Sequence, residues 1–81
     1  MQADLEIDAV GLLCPLPVLK LRKRISSLPS GSLVKITTDD PAAVIDIPHF
    51  CSENGHKFLK SKFKQEIAAS QNIHEHFIKV I

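Results

Sequence analysis

A two-layer α/β sandwich, with two helices on one face of a mixed four-stranded sheet, is the fold this sequence predicts. Three observations carry the prediction. Residues 3–9 alternate apolar and acidic, two later stretches repeat their apolar residues at helical spacing behind a proline, and the C-terminal third returns to alternation. The element order is therefore βαβαββ, in a single domain spanning residues 1–81.

In the first strand Leu5, Ile7 and Ala9 share one side and Asp4, Glu6 and Asp8 the other, until Gly11 breaks the pattern. Pro15 suits the first position of a helix, where its missing N–H has no intrahelical partner, and this makes Cys14 the N-cap. Val18, Leu21, Ile25 and Leu28 then mark a buried stripe, with Lys20, Lys23 and Arg24 on another face, and the segment ends near Pro29 and Gly31. Leu33–Thr38 is β-branched and apolar enough for a second strand. Asp39-Asp40-Pro41 reads as an acidic cap with proline at N1, opening a helix whose stripe holds Val44, Ile47 and Cys51. Pro48 is expected to kink or interrupt that helix, and Asn54-Gly55 to end it. Leu59, Ser61, Phe63 and Ile67 alternate with Lys60, Lys62 and Lys64, and residues 73–81 follow as the last strand after a polar turn at 70–72. Strands joined through helices favour parallel crossovers, while the last two form an antiparallel hairpin.

Composition excludes several classes of function. Ten basic against nine acidic side chains leave no net charge that points to general nucleic-acid or membrane binding. No apolar run reaches bilayer length, and residues 1–8 carry acids where a secretory signal is basic, so a cytoplasmic location is expected. Two cysteines do not make a disulfide framework. Neither has a partner at C-x-x-C spacing and the four histidines are scattered, so neither a metal nor any other cofactor is expected.

Cys14 is the predicted chemical centre. At a helix N-cap, unpaired N–H groups and the positive end of the helix dipole favour a thiolate, although Pro15 and Pro17 remove two of the donors, so a modestly lowered thiol pKa is expected. The prolines also stiffen the turn that presents the sulfur. Read simply as a small apolar residue, Cys14 would be buried, as free cysteines usually are. Cys51, on the apolar stripe, reads as structural.

Asp8-x-x-Gly11-Leu12-x-Cys14-Pro15-x-Pro17-Val18-Leu19-Lys20, followed by Asp39-Asp40-Pro41-Ala42 and Asp46-Ile47-Pro48-x-Phe50-Cys51, resembles the TusA/SirA-like sulfur-carrier family over nearly the whole chain. The resemblance implies a cytosolic βαβαββ protein whose C-P-x-P cysteine, here Cys14, accepts sulfur as a persulfide. The donor would be a cysteine desulfurase or a rhodanese-like protein, and the sulfur would pass to a downstream acceptor, in some members toward tRNA thiolation. Asp8, Gly11, Pro15 and Pro17 support the motif, and Leu13 stands where TusA itself has arginine.

Lys20, Lys23 and Arg24 form a basic patch near Cys14, which reads either as a solvated face or as a docking surface for protein partners. Asp8 reads as a loop-organising acceptor, since an acid beside Cys14 opposes thiolate formation. Lys60, Lys62 and Lys64 keep an open sheet face soluble, with Asp4 and Glu6 as candidate neighbours, and His74 and His76 read as an ordinary pair on an exposed strand. Two rival readings stay open: a thiol redox protein using Cys14 and Cys51, and a small RNA- or DNA-contacting regulator. Direct nucleic-acid contact is not expected from the charge balance.

Overall fold

The computed structural model describes residues 3–64 and 73–81. Its elements are β1 (Leu5–Ala9), α1 (Leu16–Ile25), β2 (Leu33–Thr38), α2 (Ala43–Asn54), β3 (Lys57–Lys64) and β4 (Ile73–Lys79). Two helices cover one face of a mixed sheet with strand order β1-β2-β4-β3. Strands β1 and β2 are parallel, and β4 runs antiparallel to both β2 and β3. The expected βαβαββ sandwich is therefore present. The crossover through α2 leaves one strand position vacant, and β4 fills it by hairpin return.

Alternation along the strands determines which side chains meet the helices. Ile7 and Ala9 of β1, Val34 and Ile36 of β2, and Ile78 of β4 pack with Leu21 and Ile25 of α1 and with Ala43, Ile47, Phe50 and Cys51 of α2. Burying a side chain of this size contributes about 1.5–3 kcal/mol, so this cluster supplies most of the driving force. On the opposite face Lys35 pairs with Glu6 at 2.9 Å and Glu75 at 3.2 Å, and the Lys60 ammonium lies over the Phe77 ring at 5.4 Å.

Strand order corrects one expectation. Strands β1 and β3 are opposite edges, so Lys60 and Lys62 do not face Asp4 and Glu6; Lys62 pairs in register with Glu75 instead. A register shift between Phe58 and Lys60 absorbs one residue, which puts Phe58 rather than Leu59 opposite Ile78. Phe63, placed on the core side by alternation, stays 55% exposed, edge-on to His74. Ile67 and the turn at 70–72 lie outside the described residues.

Pro48 does not interrupt α2, which runs unbroken from Ala43 to Asn54. The carbonyl that loses its donor to the proline belongs to Val44, a residue exposed enough for water to replace the bond. The helix stops where Gly55 turns left-handed at φ +76° and its N–H reaches the Cys51 carbonyl.

His76 is not on an exposed strand, because β4 is central and the helices cover its histidine side. The ring is fully buried, with Nε2 2.9 Å from Thr38 Oγ1 and Nδ1 2.7 Å from Ser61 Oγ. Burial, and secondarily the stacked His74, pushes its pKa down to about 4. An unfolded histidine gains a proton near pH 6.5, whereas the folded one stays neutral to about 4. Protons therefore favour the unfolded chain. Stability from this group is complete above pH 6.5 and is lost, by on the order of 3 kcal/mol, as pH falls toward 4. Thermal melts across that window should show the decline, and His76→Gln, which hydrogen-bonds without titrating, should lower the neutral-pH midpoint and flatten the pH dependence.

Candidate functional site

Because β1 and β2 are parallel neighbours, their C-terminal ends emerge at the same rim, and the loops leading into α1 and α2 meet there. Two adjacent carboxylates join them. Asp39 Oδ1 accepts the Gly11 N–H at 2.9 Å, and Asp40 Oδ2 accepts the Cys14 N–H at 2.6 Å. The other oxygen of Asp40 accepts the Ala42 N–H at 3.1 Å, forming the turn that enters α2. One side chain thus starts the second helix and fixes the main chain of Cys14.

The first loop is organised to fit this clamp. Asp8 Oδ1 accepts the Val10 N–H at 3.0 Å, and Gly11 takes a left-handed φ of +88°, where any other residue would be strained. The Asp8 carbonyl accepts the Lys20 ammonium at 2.6 Å, tying β1 to α1.

Cys14 is exposed, as expected, but it is not the N-cap. Pro15 occupies that position, its carbonyl accepting the Leu19 N–H at 3.1 Å, and the helix begins at Leu16. Pro17 then stands at N2. The Leu16 N–H, the first that the prolines leave, donates to the Leu13 carbonyl at 2.8 Å. Of the first three helix-entry donors, two are absent and the third is occupied.

What meets the sulfur is an acid. Cys14 Sγ donates to Asp46 Oδ2 at 2.8 Å, from the first turn of α2. The Cys14 thiol pKa is raised rather than lowered, first by this hydrogen bond, then by desolvation, then by the charges of Asp46 and Asp40. The dipole argument fails here because a carboxylate in contact outweighs partial charges that the prolines have already thinned.

Pro15, Val18 and Arg22 of the first helical segment line a groove with Asp46, His49, Phe50 and Glu53 of α2, about 300 Å³ in volume and ending at Cys14. His49 Nε2 lies 2.7 Å from Glu53 Oε1, one turn along the same helix. Of the predicted basic patch, Lys20 is engaged by β1, while Lys23 and Arg24 are exposed and do not line the groove. Arg22, not singled out by sequence, does. Its signal was the fourfold spacing of residues 14, 18 and 22, hidden in a basic run. Asp46 was visible within a motif but had no assigned role.

Cys51 is 1% exposed within the core, and burial pushes its thiol up to about 11. Both cysteines are free thiols. Among the described residues no cluster of three or more histidine, cysteine or acidic side chains is arranged to hold a metal, and no helix is long and apolar enough to cross a membrane.

Comparison with known proteins agrees with the motif. The family model described as Sulfurtransferase TusA matches residues 5–78. The chain is 40% identical over 65 residues to the sulfur carrier protein TusA of Pseudomonas syringae pv. syringae (strain B728a), covering 80% of this chain and 77% of that protein. It is 41% identical over 59 residues to the protein of the same name from Pseudomonas putida (strain GB-1), covering 73% and 74%. The crystal structure of a SirA-like protein from Desulfitobacterium hafniense superposes with a TM-score of 0.68 at 20% identity, over 95% of this chain and 99% of that one, and so shares the fold.

Asp40→Ala removes both bonds of the clamp. It should lower stability by about 1 kcal/mol, the scale of a lost helix-entry cap. Amide exchange should accelerate at Cys14 and Ala42 more than at Val34 in the core, which residue-resolved hydrogen exchange would register.

Proposed function

Since the chain belongs to the TusA sulfurtransferase family of sulfur carriers, which take sulfur from a donor and give it to an acceptor, we propose that Cys14 is the carrying residue and that it holds the sulfur as a persulfide. The observation that supports this reading is an exposed thiol at the rim, on main chain held by the Asp40 carboxylate, at the end of an open groove. Cys51 is a poor alternative. Its thiol lies in the core and resists deprotonation.

In the proposed step the Cys14 sulfur attacks the outer sulfur of a donor persulfide, as of a cysteine desulfurase or a rhodanese-like protein. The new Sγ–S bond forms as the donor's S–S bond breaks, and the donor departs as a thiol with the proton that Cys14 gives up. One sulfur moves: the donor cysteine is reduced from persulfide to thiol as Cys14 is oxidised from thiol to persulfide, so the exchange needs no outside oxidant or reductant. Transfer onward to an acceptor thiol is the same exchange in reverse.

Docking on two proteins in turn calls for a surface beside the thiol. Leu13, 69% exposed, and Leu16 flank Cys14 in the chain, and Ile45, 74% exposed, adjoins Asp46. These supply apolar contact, with Lys23 and Arg24 further along α1 as steering charges. The reading places the protein in the cytoplasm, where both thiols stay reduced, and leads in one branch to tRNA thiolation.

Incubated with a cysteine desulfurase and cysteine, the protein should gain about 32 Da, the mass of one added sulfur, reversible by a thiol reductant. Cys14→Ser should abolish the gain while Cys51→Ala retains it. A Cys14→Ser protein that still gained the mass would end the assignment.

A further inference from the structure

We infer that Asp46 acts as a brake on Cys14: by accepting a direct hydrogen bond from the thiol it holds the unengaged carrier in its less reactive thiol form, so that sulfur is taken from a docked donor protein in preference to free sulfane compounds. This role rests on the persulfide chemistry proposed above and adds a residue that decides which sulfur sources are used.

Geometry makes the contact persistent. Cys14 is anchored through its N–H to Asp40 at 2.6 Å, and Asp46 sits in a helix with its own N–H on the Ala42 carbonyl at 2.9 Å. Main-chain drift on either side is thereby restricted, and separating Sγ from Oδ2 requires one of the two side chains to rotate. The backbone donors nearest the sulfur at the helix entry are withdrawn, because Pro15 and Pro17 have no N–H and that of Leu16 is held by Leu13.

The charged groups nearby do not relieve the acid. Asp40 adds a second negative charge, and His49 is engaged by Glu53. Arg22 lines the same groove and makes no ion pair among the described residues, and it is not among the charges that act on the Cys14 thiol. Ionising Cys14 in place would therefore set two anions in contact. A small sulfane donor arriving from solvent has no binding energy to change that. A protein docking over Leu13, Leu16 and Ile45 does, and contacts remote from the sulfur are the ordinary means of driving a rearrangement at a reacting centre.

Asp46→Asn keeps the size of the side chain and removes its charge. Site-resolved mass spectrometry of iodoacetamide alkylation from pH 6 to 9 should show Cys14 of the variant reacting about fivefold faster at pH 7, with its profile displaced to lower pH. Persulfide formation from inorganic polysulfide should rise in step, while uptake from a cysteine desulfurase changes less. An alkylation profile that stayed in place or slowed would overturn the role, and Asp46→Ala, which also removes the acceptor, must accelerate as well if the brake is the carboxylate. Thermal melts of both variants control for unfolding. Alkylation needs no sulfur donor, so a failure of the persulfide role, seen as no mass gain in the unsubstituted protein, reads out separately.

Discussion

The Asp40 carboxylate is the joint on which the site depends. Its two oxygens bind N–H groups of Ala42 and Cys14, which lie on loops 26 residues apart from carboxylate to cysteine, and so fix the main chain of Cys14 to the entry of α2. Parallel pairing of β1 and β2 is what makes the joint reachable, since both crossovers then begin at one rim. Asp39 repeats the device one residue earlier, on Gly11, so the whole approach to α1 is laid against the entry of α2. Cys14 is placed by carboxylates reaching across from a second loop, and only incidentally by the helix it precedes.

A site assembled in this way carries an electrostatic consequence. The groups that position the cysteine are anionic, and they oppose the anion a nucleophilic thiol must become. Both cysteines are held as thiols, for different reasons. Burial suppresses Cys51, and only loss of the core would release it. Contact with Asp46 suppresses Cys14, and rotation of a side chain releases it. The second kind of suppression can be lifted within the folded chain, and the first cannot.

Local pattern was enough to place the elements, and their ends agree with the sequence to within one or two residues at β1, β2 and the start and stop of α2. It was not enough for relations between elements. No feature of β3 or β4 announces that β4 enters between β2 and β3, and from this followed the misplacement of His76, read as exposed when it is central and buried. The partner of Cys14 was missed for the same reason. Asp46 is 32 residues away in the chain, and its importance arises only once the helices are packed. Assigning the N-cap to Cys14 was a one-residue error with a large chemical effect, because it granted the sulfur donors that Leu13 and the prolines withhold.

The fold also separates what stabilises from what reacts. Its most demanding polar group, His76, is enclosed at the middle of the sheet with both ring nitrogens satisfied, where a lost bond would cost about 1–3 kcal/mol. Cys14 stands exposed at the rim, outside the core cluster, where its side chain contributes little packing. In a two-layer chain of 81 residues there is little interior to spare for chemistry. Placing the sulfur at the rim, with one neighbouring carboxylate as its partner, takes nothing from that interior.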